Sequence, residues 1–303
     1  MIIINTKDSR YPSLLKEIYG APEKLFCKGD ISVLEKSCIS VVGTRFFSDY
    51  GEYVTEKIIR ELSILDIAIV SGLARGIDTI AHKAALKNGM KTIAILGSGL
   101  DQIYPSGNEK LAKEIEKNGL LISEYPCGSP PLKMNFPQRN RIISGLSLGT
   151  LVTEAPDKSG ALITADFALE QGRDIFAVPG DIDRKGSLGV LKLIRNGAAH
   201  PISSGQEIIE IIKKQALPFK DPPNSSKKSG TPAKSAILKH CKLSGEERLL
   251  IETIGSRRGK PLEKIVEESK LTTQQALAVL SFLEINGLVY QKKGIYKLSD
   301  VFH

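Results

Sequence analysis

Six short apolar runs, each followed by a turn and a stretch of helical length, most constrain the fold of this chain. The runs are Ile39–Val42, Ile67–Ser71, Thr92–Leu96, Leu120–Ser123, Thr150–Thr153 and Ile175–Val178. Helical patterns follow near 48–65, 76–88, 108–118, 138–147, 161–171 and 188–196. Strands that are apolar along their whole length, separated by helices, predict a parallel sheet covered on both faces. Right-handed crossovers then give an extended Rossmann-like, doubly wound α/β core over 39–216. Ligands of such sheets bind beyond the carboxyl ends of the strands, so the residues leaving each strand carry the functional reading.

The first strand stops at Gly43-Thr44-Arg45, and a helix starts near Ser48. Strand, glycine turn and helix start together aim backbone N–H groups and the positive end of a helix dipole at one place, which suits a phosphate. Arg45 adds a planar fork of donors. The second strand ends in Ser71-Gly72, with Arg75 and Gly76 ahead of a helix that carries Asp78 in its first turn. Two readings fit: a second anion cradle beside the first, or a tight turn capped by Asp78. The third ends in Gly97-Ser98-Gly99, half of a dinucleotide fingerprint, but Gln102 stands where the third glycine belongs. A phosphate-side glycine turn or a plain tight turn is expected there, without a cofactor.

After the fourth strand a polar loop leads to Phe136-Pro-Gln-Arg139-Asn140-Arg141. Aromatic rings stack bases and arginines hold phosphates in sequence-tolerant single-strand binders. The competing reading packs Phe136 in the core and pairs the arginines with Glu124 or Glu154. The fifth strand is followed by Ser159-Gly160 and Thr164, another candidate N–H cradle. Several such turns along one edge suit a polymer of regularly spaced phosphates. Asp78, Glu124, Glu154 and Asp181 keep open an alternative, a nucleotide-binding or nucleotide-cleaving enzyme on a related scaffold, although no motif pairs them for catalysis.

Composition narrows the class. The net charge of +8 is a mild pointer to polyanions. No apolar run approaches the roughly 20 residues of a membrane helix, and the start lacks a secretory leader, so a cytoplasmic location is expected. Cys27, Cys38, Cys127 and Cys241 are far apart and show no metal spacing. Residues 217–242 hold six Lys against one Asp in a Pro/Ser-rich segment, which reads either as a solvated linker or as an arm that touches polyanions. Residues 243–303 predict three helices and a hairpin turning at Lys293-Gly294, the winged-helix plan. The third helix, opened by Thr272 or Thr273, offers Gln274 and Gln275 and little positive charge, so duplex DNA is a weak expectation.

These stretches together resemble the DNA-processing protein A family, DprA or Smf. The resemblance covers about residues 11–210. It runs through Val42-Gly-Thr-Arg45, Ser71-Gly-Leu-Ala-Arg-Gly-Ile-Asp78 with His82, Gly97-Ser-Gly99 with Tyr104-Pro105, Ser123-Glu-Tyr-Pro126, Phe136-Pro-Gln-Arg-Asn-Arg-Ile-Ile143, Glu154-Ala155, Ser159-Gly160, Thr164 and Pro179-Gly180. It implies a homodimer that binds and protects single-stranded DNA and helps load the recombinase RecA in natural transformation, by binding and hand-over rather than catalysis. It also implies that Gly43, Thr44, Arg45, Arg75 and Arg139 contact phosphate. Two features depart from the family pattern. Residues 1–38 read as a short extension, a remnant of the helical domain that usually precedes the core. Gly189-Val-Leu191 stands where Gly-x-Asn is usual.

Overall fold

The computed structural model describes residues 1–214, 245–254, 259–285, 289–292 and 294–298. They belong to two compact units, Met1–Phe219 and Lys220–His303. The first is built on a nine-stranded sheet. Its strands in chain order are β1 Ile2–Asn5, β2 Lys24–Gly29, β3 Ser37–Val42, β4 Ile67–Ser71, β5 Lys91–Leu96, β6 Leu120–Ser123, β7 Gly149–Val152, β8 Asp174–Ala177 and β9 His200–Pro201. Its helices are α1 Ser13–Lys16, α2 Asp49–Leu62, α3 Ile77–Lys87, α4 Glu109–Asn118, α5 Asn135–Gly145, α6 Gly160–Glu170, α7 Leu188–Arg195 and α8 Gly205–Lys214.

The sheet order is β1-β2-β6-β5-β4-β3-β7-β8-β9. From β6 to β9 every neighbour is parallel. The chain therefore lays β4, β5 and β6 to one side of β3, then returns to place β7, β8 and β9 on the other. The point where the order reverses lies between β3 and β7, where doubly wound sheets open a crevice.

Alternation along β3 shows how the layers are built. Val42 packs with Val70, Ile93, Ile142 and Val152 on one face. Ile39 and Val41 pack with Ile58, Ile69, Ile77 and Phe176 on the other. Side chains two residues apart share a face, so one apolar run feeds both cores. Each fully buried Ile or Val contributes about 1.5–3 kcal/mol relative to exposure. Helix α2 faces its core with Val54, Ile58, Ile59 and Leu62, and Ser48 caps it by accepting from the Gly51 N–H at 3.2 Å.

Residues 1–38, read from the sequence as a short extension, are part of this unit. Strand β1 pairs antiparallel with β2, and β2 antiparallel with β6. Ile4, Leu15 and Leu25 are buried in the same core as β3. Strands β1 and β2 were too short to stand out in the sequence, and β2 joins the sheet by pairing with β6, more than 90 positions away.

The second unit contains α9 Gly245–Ile254, β10 Lys260–Pro261, α10 Leu262–Ser269, α11 Thr273–Ile285, β11 Val289–Lys292 and β12 Ile295–Leu298. The strands form a three-stranded antiparallel sheet in the order β10-β12-β11. Leu250, Ile254, Ile265, Leu280, Leu283 and Tyr296 form its core. Thr272 caps α11: its hydroxyl accepts from the Gln275 N–H while the Gln275 side chain accepts from the Thr272 N–H. The segment 217–242, the Ser244 cap, Gly287 and Lys293 lie outside the described residues. Among the described residues no helix is long and apolar enough to cross a membrane.

Candidate nucleic-acid interface

A cavity of about 580 Å³ opens at the switch point between β3 and β7. Its wall includes Gly43, Thr44 and Arg45 from the end of β3, Phe136, Arg139 and Asn140 from α5, and Ser159, Gly160 and Thr164 from the start of α6. The fold thus brings together segments that are more than 100 residues apart in sequence.

The loop after β3 is held at both ends by one residue. The Thr44 N–H donates to the Glu154 carbonyl at 2.7 Å, and the Glu154 carboxylate accepts from the Ser48 N–H at 2.9 Å and the Ser48 hydroxyl at 3.2 Å. Between these anchors Arg45 and Phe46 project outward; Phe46 is 92% exposed. Arg45 is exposed in the cavity wall, where its charge is open to solvent. Across the opening, Ser159 caps α6 by accepting from the Ala161 N–H at 3.2 Å. The Arg45 and Gly160 N–H groups have no hydrogen-bond partner among the described residues.

The turn after β4 is organised differently from an open cradle. The Ser71 hydroxyl donates to the Val41 carbonyl at 2.7 Å. Asp78, 7% exposed, accepts from the Gly72 N–H at 3.0 Å and the Ala74 N–H at 3.4 Å. These amides are satisfied from within the chain, so the turn closes on its own carboxylate. Leu73 is left-handed at φ 55°, a strained position for a non-glycine residue. Asn108 braces it by donating to the Leu73 carbonyl at 2.9 Å. Gly76, at φ 83°, lies so close to the first loop that a Cβ there would stand 2.2 Å from the Thr44 carbonyl oxygen. Gly76 thus packs on the Thr44–Arg45 backbone, while Arg75, the residue before it, is exposed and not part of the cavity wall.

Gly97, Ser98 and Gly99 are buried and also lie outside the cavity wall. The Ser98 hydroxyl donates to the Gln102 carbonyl at 2.6 Å and the Gly99 N–H to the Ser129 carbonyl at 2.9 Å. The turn works as a seat. A Cβ at Gly97 would be 3.0 Å from the Phe136 ring, and the Gly97 carbonyl accepts from Asn135 at 3.0 Å. Phe136 therefore rests on the turn and meets Tyr104 with ring centroids 5.4 Å apart.

The two arginines of α5 separate. Arg141 turns away from the cavity and forms a two-point pair with Glu124, at 2.8 and 2.7 Å. Arg139 is 4% exposed. It donates to the Gly72 carbonyl at 2.7 Å, to the Ile95 carbonyl, and to the Asn140 side chain at 3.2 Å. Burial pulls its pKa down to about 10, and nearby Asp78 favours its charged form. Burial likewise raises the Asp78 pKa, opposed by the Arg139 charge. The guanidinium pins α5 to the ends of β4 and β5 from beneath the cavity floor. His82 lies deeper, with a pKa pushed down by burial to about 3. Thr92 spends its hydroxyl proton on the Ile69 carbonyl, so the His82 Nδ1 carries the proton that joins it to Thr92 at 2.7 Å.

Phe46, Lys133 and Lys158 also line the cavity and escaped the sequence reading; Tyr104, which the sequence marked only through the family resemblance, lines it too. Lys133 and Lys158 sit within three residues of positions that did stand out, but loop lysines are too common to signal a site. Tyr104 is 49% exposed and belongs to the wall only because α5 folds Phe136 against it.

A doubly wound core with exposed cations and rings around a cleft at its switch point defines a Rossmann-like protein. The model of the DNA recombination-mediator protein A family matches residues 2–213. The chain belongs to that family, known as DprA or Smf. The chain is 49% identical over 202 residues to DNA processing protein DprA of Streptococcus pneumoniae, covering 67% of this chain and 71% of that protein. It is 41% identical over 261 residues to protein Smf of Escherichia coli, covering 85% and 70%. The solved S. pneumoniae DprA structure aligns with TM-score 0.67 at 47% identity, over 69% of this chain and 73% of that one. DNA processing protein A from Helicobacter pylori, whose structure is described for its single-stranded DNA binding mode, aligns with TM-score 0.64 at 32% identity, over 71% and 97%.

Proposed function

We propose that this protein binds single-stranded DNA through the cleft between β3 and β7, protects it, and passes it as a homodimer to the recombinase RecA. The observation that carries the reading is the meeting of Arg45, Lys133 and Lys158 with Phe46, Tyr104 and Phe136 around one cavity. Cations neutralise a phosphate backbone, and rings accept any base because every base has a π-face. The unpartnered Arg45 and Gly160 N–H groups supply further phosphate donors. Asn140 and Thr164 line the same wall and add polar contacts. Arg75 extends the cationic rim, while Arg139 supports the floor. The similarity to the H. pylori protein points the same way.

The second unit is proposed to be a winged helix that contacts protein rather than duplex DNA, because Thr273, Gln274 and Gln275 present a neutral, exposed face.

A labelled single-stranded oligonucleotide and its duplex, titrated across a salt series, test the main reading. Preference for the single strand with a steep loss of affinity in salt is expected; equal binding to both forms overturns it. Sedimentation and RecA filament formation with and without the protein test the dimer and the hand-over. Incubation with nucleoside monophosphates tests the enzyme alternative, which released free base would support.

A further inference from the structure

The cavity accounts for only part of a polymer. A strand seated in it must leave across the rim, and on the β3 side that rim is Phe46. The sequence from Phe46 to Tyr53 carries Phe46, Phe47, Tyr50 and Tyr53, out of nine Phe and eight Tyr in the whole chain. They do not serve the core: Phe46 is 92% exposed, Phe47 42%, Tyr50 39% and Tyr53 61%. The core face of α2 is instead made by Val54, Ile58, Ile59 and Leu62. Four exposed rings in eight residues, continuous with the cavity wall, are a surface awaiting a flat apolar partner.

We infer that Phe46, Phe47, Tyr50 and Tyr53 form a stacking shelf for the bases of a single strand leaving the cavity. The inference rests on the single-strand reading and adds to it a second subsite outside the cavity. Tyr50 and Tyr53 are three positions apart on α2 and so lie on one side of the helix. The Tyr50 hydroxyl donates to the Pro179 carbonyl at 2.8 Å, which restrains that ring before any ligand arrives. The electrostatics define what the shelf accepts. Asp49, Glu52 and Glu56 occupy the adjoining exposed stripe of α2 and disfavour phosphate there. Bases meet the rings while the backbone stays in solvent, so the shelf contributes stacking and no counterion release.

The test compares full-length wild type with the Tyr50→Ala/Tyr53→Ala double variant. Both are titrated with labelled oligothymidylates of roughly 4 and roughly 16 nucleotides, the range of site sizes seen for single-strand binders. Both rings lie outside the cavity and the apolar core, so the variant should stay folded, with only a small drop in thermal stability from the lost Tyr50–Pro179 hydrogen bond. Affinity for the long oligonucleotide should fall roughly tenfold at unchanged salt slope, with the short one unaffected. Tyr50→Phe/Tyr53→Phe should restore wild-type affinity, since stacking needs the ring and not the hydroxyl. Equal loss on both lengths, no loss on either, or a shallower salt slope overturns the shelf. Failure of the wild type to bind either oligonucleotide instead overturns the single-strand reading itself.

Discussion

Arg139 donates to the carbonyl of Gly72 at 2.7 Å, joining α5 to the end of β4 across 67 residues of sequence. An arginine expected from the family resemblance to contact phosphate is thereby engaged by the protein's own backbone. Its partners are fixed acceptors at the carboxyl ends of β4 and β5, so it sets where Phe136 and Asn140 stand.

Replacing Arg139 by Ala should therefore damage stability first. Two buried carbonyls lose a donor, and Asp78 loses the nearby charge that favours its ionised form. A loss on the order of 3 kcal/mol is expected in denaturant unfolding. Any accompanying loss of single-strand affinity should leave the salt slope unchanged. A stable variant with a shallower slope would place Arg139 on phosphate instead.

Arg45→Ala should behave in the opposite way. The side chain is exposed, so the unfolding midpoint should hold within about 0.5 kcal/mol. Affinity for single strands of any sequence should fall, and the slope of log K against log salt should become shallower by roughly 0.7. Lys133→Ala and Lys158→Ala should each give the same signature.

Gly76→Ala tests the contact between the two strand-end loops. The new Cβ would face the Thr44 carbonyl at 2.2 Å in a left-handed backbone conformation. Both effects act against the fold, and about 1–3 kcal/mol of destabilisation is expected. Single-strand affinity should drop as well, because relief of the clash moves the loop that carries Arg45. Normal affinity in a destabilised variant would separate the loop from binding.

Acid should expose His82. Its pKa falls from the unfolded value of about 6.5 to about 3 in the folded protein, so folding favours the neutral ring. The stability this adds is fully present above pH 6.5 and is lost as pH falls from there toward 3, with a slope of up to about 1.4 kcal/mol per pH unit. Asp78 acts in the opposite sense: its raised pKa favours the folded state as it takes up a proton, which offsets part of the loss. His82→Gln should flatten the stability profile between pH 6.5 and 4. An unchanged profile would show that other groups govern acid unfolding.

Legibility in the sequence followed the range of the interactions. The strands β3 to β8 and the helices after them were readable because an apolar period and a cap are local properties. Strands β1 and β2 were not, since four to six residues with mixed exposure declare themselves only when paired. At the site, Gly43, Thr44, Arg45, Phe136, Arg139, Asn140, Ser159, Gly160 and Thr164 share one cavity wall, whereas Gly97, Ser98, Gly99 and Arg141 lie elsewhere.

Taken alone, the order of residues determined a doubly wound core and the glycine turns at its strand ends, because each follows from neighbours along the chain. Only the tertiary structure decided which charges reach solvent. Arg45, Arg139 and Arg141 are chemically identical, yet one is exposed, one is held by backbone carbonyls and one is paired with Glu124. The difference lies in partners brought in from distant segments, and no local pattern records them.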